Sequence, residues 1–124
     1  MTTRYTKDHE WVRMEGDVAV VGITQYAAEQ LGDVVYAELP PEGASFAQGA
    51  DMAVVESAKT ASDVYAPISG VIAGANEAIK NENWEIINQS PQGEGWFVKI
   101  RPSNKAEFDA LMDEAAYADY VKGL

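Results

Sequence analysis

Met52-Ala53-Val54-Val55-Glu56-Ser57, then Ala58-Lys59-Thr60, then Ala61-Ser62-Asp63-Val64-Tyr65: two short apolar runs meet around a turn of small residues. Val and Tyr at this spacing favour extended chain, and a three-residue link suits a hairpin. Lys59 then stands at the tip, solvated, between neighbours too small to shield it. The same rhythm runs along the chain. Asp17 to Ile23 follows the Glu15-Gly16 turn, and Val34 to Leu39 ends at Pro40-Pro41 and Gly43. Ser69-Gly70 turns the chain into Val71-Ile72-Ala73, and Glu85 to Ile87 is a shorter candidate strand. Trp96 to Ile100 is entered through Gly93-Glu94-Gly95. Short strands between frequent turn signals predict a mainly β fold, a small sandwich or barrel.

Two helices interrupt this pattern. Thr24 reads as an N-cap, with Tyr26, Ala27, Ala28 and Leu31 forming a short helix that stops at Gly32. Near the end, Phe108, Leu111, Met112 and Ala115 fall at i, i+3, i+4 and i+7 after Ser103, a second candidate cap. That period predicts a C-terminal amphipathic helix over about 103–120, packed on the β body. With 124 residues and no linker or low-complexity tract, residues 1–124 read as a single domain.

Charge narrows the partners. Nine Lys and Arg stand against 20 Asp and Glu, a net charge of −11. Nucleic acid and anionic membrane surfaces attract clustered bases, so both are excluded as partners. No apolar run reaches the 18 or so residues of a membrane span, and Met1-Thr2-Thr3-Arg4 does not begin a signal peptide. A cytoplasmic protein is expected. The charge is also unevenly placed: between Arg13 and Lys80 the chain holds ten acids and one base, Lys59.

Little in the sequence makes an ordinary active site. Cysteine is absent, which excludes disulfides, thiolate catalysis and thiolate metal sites. The single histidine, His9, lies between Asp8 and Glu10, but no G-x-S-x-G elbow accompanies it, and it reads as structural. Neither H-E-x-x-H, nor an EF-hand loop, nor a P-loop is present, so no metal or phosphate site is expected. Trp11, Trp84 and Trp96 read as core aromatics. Lys59 remains. An exposed lysine has an ordinary pKa near 10.4 and is about 0.04% neutral at pH 7, a poor nucleophile. A Schiff-base enzyme needs that amine desolvated or beside another cation. Residue chemistry alone leaves two readings: an ordinary turn lysine, or an amine presented to another enzyme for acylation.

Glu56-Ser-Ala-Lys59-Thr-Ala-Ser-Asp63-Val-Tyr-Ala-Pro67 resembles the lipoylation segment of the glycine cleavage system H protein family, usually E-S-V-K-A-A-S-D. Ala58 and Thr60 replace the usual valine and alanine. Tyr5-Thr-Lys-Asp-His-Glu-Trp11-Val matches the family's opening. Val21-Gly-Ile-Thr24, Leu31-Gly-Asp33 and Glu38-Leu-Pro40 match its next blocks. Gly93-Glu-Gly-Trp96, Lys99-Ile100 and the acidic C-terminal helix complete a likeness over nearly the whole chain. Gln92 departs from a common tyrosine, and residues 80–88 lack the usual S-P-E and are one residue longer. Both departures lie away from the lysine.

The resemblance implies a barrel-sandwich hybrid like the lipoyl domains, and a shuttle rather than an enzyme. Lys59 would carry lipoate in amide linkage, while Glu56, Gly43 and Gly70 match features recognised by lipoate-attaching enzymes, a lipoate ligase or octanoyltransferase. The implied cycle takes an aminomethyl group from a pyridoxal-phosphate glycine decarboxylase (P protein). It delivers that group to a tetrahydrofolate-dependent aminomethyltransferase (T protein), and dihydrolipoyl dehydrogenase (L protein) then reoxidises the arm. The amine is cationic, and an acidic cleft of Glu10 and Asp63, with Asp8 and Gln30, is expected to hold it. A relay carrier donating lipoate to other proteins is the nearest alternative, and a lysine Schiff-base enzyme a more distant one. A biotin carrier normally flanks its lysine with methionines, and a dehydrogenase lipoyl domain shows D-K-A. Met1 favours a prokaryotic cytoplasm over the mitochondrial matrix. Acylation of Lys59 would leave residues 14–79 with ten acids and no base, a surface for steering basic partners.

Overall fold

Gly16 and Asp17 make a two-residue turn, Gly16 lying at φ +63° where Glu15 pairs with Val18. That turn joins β2 (Glu10–Glu15) to β3 (Val18–Ile23), with β1 (Thr3–Tyr5) antiparallel on the outer side of β2. The computed structural model describes residues 2–124. α1 (Gln25–Leu31) follows, then β4 (Val34–Glu38), β5 (Ser45–Phe46), β6 (Asp51–Ser57), β7 (Ala61–Tyr65) and β8 (Gly70–Ala75). α2 (Glu77–Lys80), α3 (Glu85–Gln89), β9 (Val98–Pro102), α4 (Lys105–Asp109) and α5 (Glu114–Lys122) complete the chain. The strands form a six-stranded sheet, β1-β2-β3-β9-β8-β5, and a three-stranded sheet, β4-β6-β7. Val12, Val21, Ile72 and Ile100 of the first share one core with Ala37, Ala53, Val55 and Val64 of the second. The mainly β class is the one expected from the sequence, and its strands lie in two sheets.

A second apolar cluster lies outside that core. Tyr5, Trp11, Val20 and Tyr117 pack together, so α5 covers the outer surface of β1, β2 and β3. Trp11 is fully buried and its Nε1 donates to Pro91 O at 2.9 Å. Among the described residues no helix is long and apolar enough to cross a membrane.

Four local readings change. Glu85 to Ile87, expected as a strand, lies within the helix α3, with Ile87 fully buried. An apolar pair suits either period, and here tertiary burial selects the helix. Strand β9 begins at Val98 rather than Trp96, although Phe97 N–H still donates to Val21 O at 2.7 Å. β1 and β2 went unread in the sequence because Arg4, Glu10, Arg13 and Glu15 interrupt their apolar pattern. The helix expected over about 103–120 is two helices. Asn104, not Ser103, caps α4, and Asp113 caps α5. Between them Met112 leaves the helix to exchange backbone hydrogen bonds with Tyr5, at 2.8 and 3.1 Å. Completing the edge of β1 therefore interrupts the helical period, and Tyr117 takes the buried position of α5 while Ala115 is exposed.

Gly70 opens β8 where the sheet is tightest. A Cβ there would overlap Arg101 O and stand 2.6 Å from Ile100 Cγ2. The backbone carbonyl of β9 cannot yield, so Gly70→Ala should lower unfolding free energy by about 1–3 kcal/mol. Urea titration checks this; an unchanged midpoint would mean that β9 shifts freely.

Candidate functional site

Ser57 shapes the hairpin tip. Its Oγ accepts the N–H groups of Lys59 and Thr60, both at 3.2 Å, while Ser57 N–H donates to Thr60 O at 2.8 Å. A side-chain oxygen thus satisfies the turn where the ladder ends, at the Glu56–Ala61 pair. Lys59 is exposed at the tip. Its side chain lies over Gly32, where a Cβ would come within 3.1 Å of Lys59 Cε and 3.6 Å of Nζ. Gly32 also ends α1 at φ +81°, a conformation that favours glycine. Asn88 of α3 pins this shelf, donating to Gly32 O at 2.8 Å and accepting from Val34 N–H at 2.9 Å. Among the described residues the Lys59 ammonium has no ion-pair partner.

Beside the tip is a cavity of about 260 Å³. One wall is the loop Asp8–Glu10, another is α1 through Tyr26, Ala27, Gln30 and Leu31, and the third is β7 with Thr60. All four residues expected in the cleft, Glu10, Asp63, Asp8 and Gln30, line it. Their settings differ: Asp8, Gln30 and Asp63 are exposed, whereas Glu10 is only 2% exposed. Glu10 Oε1 accepts from Thr6 Oγ1 at 2.7 Å, and Oε2 from Tyr65 N–H at 3.3 Å. Burial pushes its carboxyl up to about 7, although these hydrogen bonds oppose the shift. A carboxylate in this position gains from any cation that enters the cavity.

The expected recognition residues lie outside that cavity. Glu56 is half-buried on β6, opposite Tyr36 and Ala61. Gly43 N–H donates to Ile72 O at 2.8 Å in the turn before β5, and Gly70 is held by packing against β9. His9 lies at φ +67°, its Nδ1 2.7 Å from the Tyr117 hydroxyl, and burial lowers its pKa. Gln92 caps the start of α1, its Oε1 accepting Gln25 N–H at 2.8 Å. Sequence reading passed over Thr6, Ser57 and Asn88, which position the cavity and the tip; only Ser57, two residues before Lys59 in a turn, carried a local signal.

A family model described as "Glycine cleavage H-protein" matches residues 3–123. The chain belongs to this family. The H protein of Caulobacter vibrioides is 56% identical over 118 residues, covering 95% of this chain and 97% of that one. That of Xanthobacter autotrophicus is 52% identical over 123 residues, covering 99% and 98%. The crystal structure of the H protein from Mycobacterium marinum superimposes with a TM-score of 0.85 at 36% identity, covering 99% of this chain and 98% of that one. The two-sheet core is therefore the barrel-sandwich hybrid of the H proteins. H proteins are the lipoyl carriers of the glycine cleavage system and work with its enzymes without themselves being catalysts.

Because the carboxyl of Glu10 is raised from the ordinary 4.5 to about 7, its neutral form is favoured on folding. The stability it contributes is complete below about pH 4.5 and is lost as pH rises through about 7. Glu10→Gln stays neutral. The difference in unfolding free energy between variant and parent should therefore move in the variant's favour across that window. Urea titrations at several pH values check this, and a constant difference would contradict the burial of an ionisable carboxyl.

Proposed function

We propose that Lys59 carries lipoate in amide linkage and that this chain shuttles the aminomethyl group of glycine between enzymes of the cleavage system. The P protein loads the arm, the T protein unloads it, and the L protein restores it. A lipoate ligase or octanoyltransferase attaches the group, recognising Glu56 beside the hairpin tip, with Gly43 and Gly70 shaping the flanking turns. The working compartment is the prokaryotic cytoplasm. The observation that carries this reading is an exposed lysine at a hydrogen-bonded hairpin tip beside a cavity that buries one carboxylate.

The residues suit that group. Ser57 closes the turn that presents Lys59 at the tip, and Gly32 leaves room beneath its side chain. Bound there, lipoate supplies the pair of sulfurs that a cysteine-free chain lacks. The residues around the cavity do the rest. Glu10 and Asp63 hold the cationic amine of the cargo, with Asp8 and Gln30 at the rim. An entering ammonium favours the ionised form of Glu10, so charge-assisted hydrogen bonds replace the proton. Ile23, Leu31 and Val64 line the same cavity and keep water from the cargo.

Intact and peptide mass spectrometry after expression with lipoate should place one lipoyl group on Lys59, and Lys59→Arg should carry none. An unmodified Lys59 beside a lipoylated control domain would overturn the reading. With purified P protein, Glu10→Gln should load normally but lose its cargo to water about tenfold faster. An unchanged half-life would remove Glu10 from the site and leave the attachment standing.

A further inference from the structure

Tyr117 does not line the cavity, yet its hydroxyl joins two of the cavity's walls. It lies 2.7 Å from Nδ1 of His9, in the loop that carries Glu10. It also lies 2.8 Å from Oγ1 of Thr24, the N-cap of α1. Thr24 completes the connection through its backbone, its N–H donating to His9 O at 2.9 Å. One proton arrangement fits the cluster: Thr24 Oγ1, which accepts Ala27 N–H at 3.2 Å, can donate to the Tyr117 hydroxyl, and that hydroxyl can donate to Nδ1 of a neutral His9 ring.

The joint falls at a strained point of the backbone. His9 adopts φ +67°, unfavourable for a side chain of its size, immediately before Glu10. Its ring is enclosed by Tyr26, Tyr117 and Tyr120, with centroids 4.6, 5.8 and 5.9 Å away. The conformation of His9 sets the direction in which the chain carries Glu10 inward. The packing of Tyr117 is separable from its hydroxyl, because the ring stacks on Tyr5 at 4.6 Å and 9°.

We propose that Tyr117 is a positioning residue: through His9 and Thr24 its hydroxyl sets the spacing between the Glu10 loop and α1, and so keeps Glu10 aimed at the cargo's amine. Only the last clause rests on the proposed function; the tie between the walls stands on its own. The C-terminal helix α5 then does more than cover Trp11, since it adds a side-chain link to the backbone bond that already joins the two walls.

Tyr117→Phe in the full chain tests this, since it keeps the stack and removes both bonds of the hydroxyl, leaving the backbone bond from Thr24 to His9 in place. In the unmodified protein, carboxyl NMR should find Glu10 titrating near 7 in the parent. In Tyr117→Phe the midpoint should be lower by roughly one unit, because water reaches a loosened loop. After lipoylation at an unchanged rate and loading, the cargo's half-life should shorten roughly three- to tenfold. His9→Gly tolerates the positive φ and deletes the acceptor, so it should act in the same direction. Adding Tyr117→Phe to it should have less than its full separate effect, because both variants break the bond between His9 and Tyr117 and only the second also removes the bond to Thr24. An unchanged Glu10 midpoint in Tyr117→Phe, or effects that add in full, would overturn the proposal. Glu10→Gln in the half-life assay separates the two readings. If it has no effect, the proposed role of Glu10 fails, while the titration of the unmodified protein still judges the tie.

Discussion

Burial of Val55 and Val64 in the core shared by the two sheets sets the register of the β6–β7 hairpin, and the functional geometry follows from it. Along β6, Ala53, Val55 and Ser57 are buried while Val54 and Glu56 are more open. A slip of one residue would reverse every side chain, exposing Val55 and driving Glu56 into the core. Each valine so lost costs about 1.5–3 kcal/mol, and an unpaired buried glutamate adds to that. One register is therefore available. It ends the ladder at Glu56 and Ala61, leaves Ser57 to close the turn from inside, and puts Lys59 where no neighbour covers it.

The other half of the site depends on a polar group that burial does not favour. Glu10 begins β2, where Trp11 packs under α5 and Val12 enters the main core. With Trp11 and Val12 buried in different clusters immediately after it, the chain has little freedom to move Glu10 outward. Thr6 and the Tyr65 backbone supply its hydrogen bonds, and no cation among the described residues accompanies it. A carboxyl held this way costs stability, and such costs concentrate where a protein binds its ligand. The strained His9 beside it belongs to the same economy of local unfavourable features held by surrounding structure.

What could be read along the chain was whatever short-range chemistry encodes. Thr24 and Gly32 marked the ends of α1 because a cap and a left-handed terminator act within a few residues. The Lys59 turn was legible because Val54-Val55 before it and Val64-Tyr65 after it favour extended chain on both sides. Strands β1 and β2 were hidden, since Arg4, Arg13 and Glu15 are half-buried charges in a pattern usually recognised by apolar alternation. The break at Met112 was hidden for a different reason. Its cause is the free edge of Tyr5, more than a hundred residues earlier.

The sequence by itself determined the mainly β class, the hairpin with Lys59 at its tip and the family, because these rest on local pattern and on ordered motifs. It also named Glu10, Asp63, Asp8 and Gln30 as companions. Only the tertiary structure decided that these four share one cavity, that Glu10 alone among them is buried, and that Gly32 lies beneath Lys59. It also decided that Tyr117, His9 and Thr24 meet. Distances between remote residues and the loss of solvent around a carboxyl come from packing two sheets and α5 together, and no short window of chain contains them.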